Sequence, residues 1–567
     1  MGRFAQLARA RGVRGRRGLI VVVVAVAALS VLVAGALADV NPQPVSFTHN
    51  GLDAAAPVAG GVFGSGPADR PGTAACTTAT QSTDAGGNVN TDCAGPNGVL
   101  GPHNETSVAV NPTNTANIVG GANDYQLGID PGGHVTENLR SYAHVSMDGG
   151  RTWSMYPVNS NSAYQATGDP SLAFDATGHA YYATLGFRFV GPGNATNPDV
   201  LVSNSADGGV TWDTSRIASG SGTATSVGDL LDKEYVTAWG SGNALVTYGD
   251  FPLAQKGAFT GGFIYSSVTH DYGKSWSKPQ IISGSLNQAF VSVPTVAADG
   301  SVYVSFLNTT DLNTGRDDYE VVRLDPVTGA RVAGPFKVAQ VIDGVSDYPV
   351  FGGRQTYQDS VFRTWAAGNI TADPTNATHL AVVWSDTRNT PPPVPSDPYV
   401  AKTNSDVIVS QSFDSGRTWS APTSIALAGD QFMPWGAYDG TGKLRIGFFD
   451  RHYDTANHLY KYSLATETTQ GSLTFTTAPV ATESSNPTSG DRWFRTTANP
   501  AFPGATQFLG DYSNIAIIPT GTNSTSGTGI NLGTGVVAYW TDMRNIACFP
   551  ATSCGFGEDA YFARIGG

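Results

Sequence analysis

Ser146-Met147-Asp148-Gly149-Gly150-Arg151-Thr152-Trp153 recurs three times along the chain, as Ser205-Ala206-Asp207-Gly208-Gly209-Val210-Thr211-Trp212, Thr269-His270-Asp271-Tyr272-Gly273-Lys274-Ser275-Trp276 and Ser412-Phe413-Asp414-Ser415-Gly416-Arg417-Thr418-Trp419. The shared pattern is a hydroxyl residue, then Asp, Gly, a second hydroxyl and Trp. It reads as a hairpin turn. The first hydroxyl and the Asp can bond amides in the loop. The Gly takes a conformation that a Cβ resists, and the Trp buries a large ring as the next strand begins. A strand pattern precedes each copy, at 142–145, 200–202, 263–265 and 407–409.

The Asp positions lie 59, 64 and 143 residues apart. The last gap is close to two repeats, and Leu324-Asp325-Pro326-Val327-Thr328-Gly329 reads as a degenerate turn within it. A sixth unit without the motif is expected around 458–475. Units of this length, all strands and turns, read as propeller blades. Apolar runs at 515–518 and 536–540 are expected to share a blade with N-terminal strands and so close the ring without open edges. The expected fold is all-β, a six-bladed β-propeller of four-stranded antiparallel blades over 101–567, behind an N-terminal hydrophobic export or anchor helix.

Composition agrees with many short strands and turns. The 567 residues include 68 Gly and 33 Pro, and only 14% are charged. The net charge of −13 lacks the basic footprint of a general nucleic-acid binder. Residues 1–17 carry six Arg and no acidic residue, followed by an apolar run from Leu19 to Ala38. As a helix that run would span about 30 Å. The closing Ala36-Leu37-Ala38 reads as a cleavage site, so 1–38 is either a signal peptide or a transmembrane anchor. Both place the remainder outside the cytoplasm, as a secreted or cell-surface protein. Residues 39–100 read as a flexible low-complexity arm. The four cysteines, Cys76, Cys93, Cys548 and Cys554, form two local pairs suited to disulfides in an exported protein.

On these repeats the chain resembles the Asp-box (BNR-repeat) proteins of the bacterial sialidase-like superfamily, over roughly residues 103–565. The resemblance implies a structural role for the box residues: Ser146, Asp148, Gly150 and Trp153; Ser205, Asp207, Gly209 and Trp212; Thr269, Asp271, Gly273 and Trp276; Ser412, Asp414, Gly416 and Trp419. It implies a glycan or glycoconjugate as partner. It also implies an exo-acting glycosidase with an Arg cluster, a Tyr–Glu pair and an acidic acid/base. The Phe/Tyr-Arg-Ile-Pro motif of sialidases is absent, and Arg140 is the only Arg in the matching stretch.

Charged clusters following strands supply the candidate site. Asp386-Thr387-Arg388, Asp450-Arg451-His452-Tyr453-Asp454 and Asp542-Met543-Arg544 each end an apolar strand. Arg140, Arg388, Arg451 and Arg544 are the ligand-binding candidates, since guanidiniums bind carboxylate or sulfate in bidentate fashion. The alternative is Asp–Arg pairing within each blade. Glycoside cleavage needs two carboxyl groups, or a Tyr with an assisting Glu. Glu234, Tyr453, Asp454 and Asp511 are the catalytic candidates. Those carboxylates could equally hold a structural calcium. No other cofactor is expected. No metal-binding motif is present either, since none of the nine His falls in an HExxH pattern. A non-catalytic propeller that binds cell-surface carbohydrate or protein is the alternative function.

Overall fold

The computed structural model describes residues 87–92, 101–129, 135–159, 163–191, 194–223, 226–254, 260–351, 354–390, 394–487, 508–548 and 554–567. Seven four-stranded antiparallel sheets follow one another along the chain, so the ring has seven blades and not six. Blades I to VI open with the inner strands His103–Val110, Ala166–Phe174, Gly228–Trp239, Ala289–Val296, Asn369–Ala372 and Gln431–Tyr438. Each of these six blades runs inner to outer in sequence order. Each inner strand touches the next, and the inner strand of blade VII, Asn514–Thr522, touches both Gln431–Tyr438 and His103–Val110.

Blade VII is the one that the repeat count missed. Its first three strands are Asn514–Thr522, Ile530–Asp542 and Asp559–Ile565, and its outermost strand is Val89–Asn90. The expected pairing of C-terminal with N-terminal strands does occur, with Val89 opposite Phe562 and Asn90 opposite Tyr561. It adds a seventh blade, because blade I already owns four strands of its own. The motif marks the turn between third and fourth strands. In blade VII those two strands come from opposite ends of the chain, so no such turn exists to carry it. The apolar segment at 19–38 lies outside the described residues. Among the described residues no helix is long and apolar enough to cross a membrane.

The repeated turn has the same hydrogen bonds in every copy. In blade I the Ser146 hydroxyl donates to Asp148 Oδ1 at 2.9 Å and accepts the Gly150 amide at 2.8 Å. Asp148 also accepts the Thr152 amide at 3.0 Å and its hydroxyl at 2.7 Å. Trp153 Nε1 donates to the Gly150 carbonyl at 3.1 Å. The copies at Asp207, Asp271 and Asp414 repeat this set. In the last, the Thr418 hydroxyl and amide hold the Asp414 carboxyl down at about 2.

These turns also seal one blade to the one before it. Gly150 lies against Phe562 of blade VII, Gly209 against Val119 and Val145 of blade I, and Gly273 against Asn204 of blade II. Gly150 has φ +95°, and a Cβ there would overlap the Phe562 ring. Gly150→Ala is therefore expected to cost about 2–3 kcal/mol, from backbone strain and overpacking together. Urea unfolding of the variant measures it, and a loss below about 0.5 kcal/mol would contradict the sealing role.

The strands alternate in direction, so the repeated turns lie on one face of the ring. The connections between second and third strands lie on the other, with the crossovers between blades. On the second face the ribbon Ile546–Cys548 and Cys554–Phe556 sets the Cys548 and Cys554 backbones directly opposite one another. Cys76 and Cys93 lie outside the described residues.

Candidate functional site

Five inner strands carry the same irregularity. A two-residue bulge interrupts the register at Asn104/Ser107, Gly168/Ser171, Asp232/Tyr235, Phe290/Val293 and Phe432/Trp435. At each bulge one residue adopts positive φ: Glu105, Asp169, Lys233, Val291 and Met433. Non-glycine residues rarely take this conformation, and where it recurs it re-aims a side chain. Here the blades converge on the axis, and the re-aimed side chains surround it. Blades I to III contribute a carboxyl, a carboxyl and an ammonium, whereas blades IV and VI contribute apolar groups.

The charged half is a compact cluster. Lys233 Nζ stands 2.8 Å from Asp511 Oδ2, 3.5 Å from Glu105 Oε1 and 3.5 Å from Asp169 Oδ2. Asp511 sits in the segment entering blade VII. It accepts Arg363 Nε at 2.8 Å and Arg363 Nη2 at 2.5 Å, a bidentate pair. The Asp511 amide donates to Glu105 Oε1 at 3.1 Å, and Asn123 Nδ2 donates to Glu105 Oε2 at 2.9 Å. All of these side chains are buried, Glu105 completely and Lys233 with 2% of its surface exposed. Asp232 and Glu234, on either side of Lys233, are buried as well.

The apolar half is aromatic. Trp365 lies 5.6 Å from Lys233 Nζ, and the Tyr235 ring is stacked on Trp435 at 5.8 Å and meets Tyr512 edge-on at 5.6 Å. These rings, with Val291, Met433 and Asp511, line a small recess that opens to solvent.

Carboxyl groups outnumber cations in this cluster, and their proton affinities separate. Burial, and then the neighbouring Asp169, pushes the Glu105 carboxyl well up. Burial likewise raises Asp169, Asp232 and Glu234. Asp511 goes the other way: against its burial, the Arg363 and Lys233 cations hold its carboxyl below the usual range. A carboxyl of raised and one of lowered proton affinity therefore sit side by side, a separation that acid/base catalysis uses.

Stability should depend on pH accordingly. The raised groups bind protons in the folded chain that the unfolded chain has already released above about pH 4.5. Their contribution is full below that point and is lost as pH rises. Asp317, raised by burial to about 7, adds to the same trend. The contribution of Asp511 is lost only as pH falls below the ordinary carboxylate range. The melting temperature is expected to peak near pH 6, since His144, pushed down to about 3 by burial, loses its contribution as pH falls below about 6.5, and to fall towards pH 8. A flat or rising profile over that interval in differential scanning calorimetry would contradict it.

Of the candidates read from sequence, Asp511 lies inside the axial cluster and Glu234 beside it. Asp454 accepts the Ala456, His458 and Leu459 amides in a tight loop, and the Tyr453 hydroxyl lies 3.2 Å from Ser463 Oγ. Neither reaches the axis cluster. The arginines do not meet. Arg388 folds back on Asp386 through Nε and Nη2 at 2.8 and 2.6 Å. Arg544 does the same on Asp542 at 2.9 and 2.8 Å. In blade VI the matching position is His452, whose Nδ1 is 2.6 Å from Asp450 Oδ2. Arg451 is one residue out of step. It is buried among Tyr357, Phe362 and Phe432, where it bonds Ser360 Oγ at 2.7 Å and the Gln358 and Asn457 carbonyls at 3.1 Å. Arg140 Nη1 lies 3.4 Å from the Tyr164 carbonyl.

Sequence reasoning passed over Glu105, Asp169, Lys233 and Arg363. A signal existed for the first three: Asn104-Glu105-Thr106, Gly168-Asp169-Pro170 and Asp232-Lys233-Glu234 each put a charge just ahead of an apolar strand in consecutive units. Arg363 comes from the long connection between blades IV and V and carries no repeat signal.

A second buried group, Asp92, His103 and His144, brings three donor atoms within 4.8 Å of one another and can hold a metal ion.

No protein-family model matches the chain, and no curated protein is detectably similar to it in sequence. Among solved structures it is similar to a Hadza microbial sialidase, at 12% identity over 76% of this chain and 75% of that one, TM-score 0.38. It is similar to the α-L-arabinanase of Penicillium chrysogenum at 11% identity over 82% and 97% of the two chains, TM-score 0.38. A family-25 polysaccharide lyase, an ulvan lyase, matches at 11% identity over 63% and 81%, TM-score 0.38. The chemistry of the channel is set by this chain's own side chains.

Proposed function

We propose that the protein is an extracytoplasmic, glycan-directed propeller whose axial recess cleaves a glycosidic bond by carboxyl acid/base chemistry. The observation that carries this reading is a recess that Asp511 lines with Trp365, Trp435, Tyr235 and Tyr512, with Glu105, bonded to the Asp511 amide, buried behind it, and the opposite shifts of these two carboxyls. Aromatic faces suit the apolar faces of sugar rings. Glu105, backed by Asp169, would protonate the leaving oxygen, and Asp511 would act as base or nucleophile as an oxocarbenium-like state develops. Lys233 and Arg363 keep Asp511 ionised and orient it. Glu234, beside Lys233 on the same bulge, would reinforce the negative field. The N-terminal apolar segment would deliver the chain across the membrane, and a Cys548–Cys554 bridge fits that oxidising compartment.

The test is a panel of glycosides, sialosides and arabinosides included, with Glu105→Gln and Asp511→Asn as inactivating variants and Arg388→Ala and Arg544→Ala as comparisons. Release that survives both carboxyl changes would refute the assignment. The near-complete burial of Glu105 and Lys233 favours a second reading, a binding module. Retention on a glycan array without release from any substrate would support it.

A further inference from the structure

The seam where the ring closes holds a second cluster, independent of the channel. Blade VII is completed by a strand of only two residues, Val89–Asn90. Thr91 and Asp92 follow it directly and turn inward between blades I and VII. There the Asp92 carboxylate meets His103 from the inner strand of blade I and His144 from its third strand. Asp92 Oδ2 is 3.1 Å from His103 Nδ1, and Asp92 Oδ1 is 3.8 Å from His144 Nδ1. All three side chains are inaccessible to solvent or nearly so. Asp92 Oδ1 and His144 Nε2 make no hydrogen bond, and the two His103 nitrogens meet Asp92 and Asp124 off the line of one, while Asp92 Oδ2 accepts the Ala560 amide at 2.6 Å and His144 Nδ1 lies 3.1 Å from Thr91 Oγ1. Leaving several polar atoms of one cluster buried and unbonded is costly, and an ion would satisfy several at once.

We propose that Asp92, His103 and His144 bind one divalent transition-metal ion, zinc above all, which staples the closing strand to blade I. Three lines of geometry and chemistry support the assignment. Donors around a tetrahedral ion at about 2.1 Å lie about 3.4 Å apart; Asp92 reaches His103 at 3.1 Å through Oδ2 and His144 at 3.8 Å through Oδ1, and all three donors lie within 4.8 Å of one another. His103 Nε2 faces Asp124 Oδ1 at 3.3 Å on the side away from Asp92, the carboxylate–histidine–metal relay that orients a ligating imidazole. Carboxylates also gather here: Asp92 and Asp124 lie 3.1 and 3.3 Å from the two ring nitrogens of His103, and a divalent cation would offset their charge. Two imidazoles and one carboxylate suit zinc or cobalt. Calcium requires six or more oxygen donors, which this cluster does not offer.

The staple answers a need of the fold. The closing strand pairs over only two residues, and a metal bond from Asp92 to His103 and His144 would tie the same segment down by coordination, in addition to those pairs and the Thr91 amide bond to the Ala560 carbonyl.

The test uses the full-length protein, purified without chelator and then stripped. Elemental analysis should find about one zinc per chain before stripping. Adding Zn²⁺ to the stripped protein should raise the melting temperature by about 5 °C or more, and Ca²⁺ should leave it unchanged. Co²⁺ should give the intense visible bands of a tetrahedral site. Asp124→Asn, which leaves all three ligands in place, should weaken Co²⁺ binding about 10–100-fold. His144→Gln should remove the bands. No bound metal together with no thermal response to Zn²⁺ or Co²⁺ would overturn the proposal and leave an imidazolium–carboxylate pair. So would an equal response to Ca²⁺, or stoichiometric zinc in His144→Gln.

Discussion

Asp511→Ala should destabilise the propeller by about 3–5 kcal/mol at neutral pH, the usual cost of removing one partner from a buried ion pair. Asp511 is the nearest counter-ion of two buried cations, 2.8 Å from Lys233 Nζ and bonded twice to Arg363. Without it, both cations face only carboxyls whose proton affinity burial raises. Glu105 and Asp169 would then release protons to restore neutrality, since each is within 3.5 Å of Lys233 Nζ. The mildly acidic stability maximum should therefore flatten in the variant, as groups that held protons in the folded chain give them up. Urea unfolding at two pH values reads both effects. A loss under 1 kcal/mol, with the wild-type pH profile intact, would show that Lys233 and Arg363 are neutralised elsewhere.

The second large effect is expected on activity and not on stability. Glu105→Gln swaps a carboxyl whose proton affinity burial raises for a neutral group of the same shape. Gln can still accept one of the bonds from the Asp511 amide or Asn123. The fold should lose less than about 1 kcal/mol, in line with exchanging one neutral hydrogen-bonding group for another. A general acid, by contrast, contributes about 10²–10⁴-fold to the rate, and Gln cannot give up a proton. On whichever glycoside the wild type cleaves, kcat should fall by that factor with KM little changed. An unaltered kcat would remove Glu105 from the acid role. A collapse of stability in the same variant would show that Glu105 is ionised and holds Lys233 as a structural counter-ion.

These two substitutions separate the roles that the axis cluster combines. A cluster that only locked seven blades together would show a large stability loss at Asp511 and no catalytic phenotype at Glu105. The metal site proposed at the closing seam, Asp92, His103 and His144, shares no residue with the axis cluster.

Local chemistry was the readable part of this chain. The Ser-x-Asp-x-Gly-x-Thr-Trp turn is complete within eight residues, and its hydrogen bonds run among those residues, so the repeat announced hairpins, blades and an all-β ring before any coordinates. The same locality explains why Asp386-Thr387-Arg388 was visible but misleading as a ligand site. The guanidinium two residues after the Asp returns to that Asp, a bond the spacing allows without deciding whether it forms. It also explains the off-by-one reading of Arg451, where His452 takes the place of the pairing cation.

The blade count and the axial site were not local. Blade VII needs Val89–Asn90 to lie beside Asp559–Ile565, strands from opposite ends of the chain, and no turn motif can record a pairing between them. The axis brings Glu105, Asp169, Lys233, Arg363 and Asp511 together from three bulges and two connections, spread over some 400 residues. Their proton affinities follow from mutual distance and burial, which spacing along the chain does not encode. The sequence determined the kind of blade, because a hairpin is stabilised by neighbours a few residues apart. Tertiary structure alone decided how many blades close the ring and which charges meet at its centre, because those contacts form only where distant segments are driven together by burial.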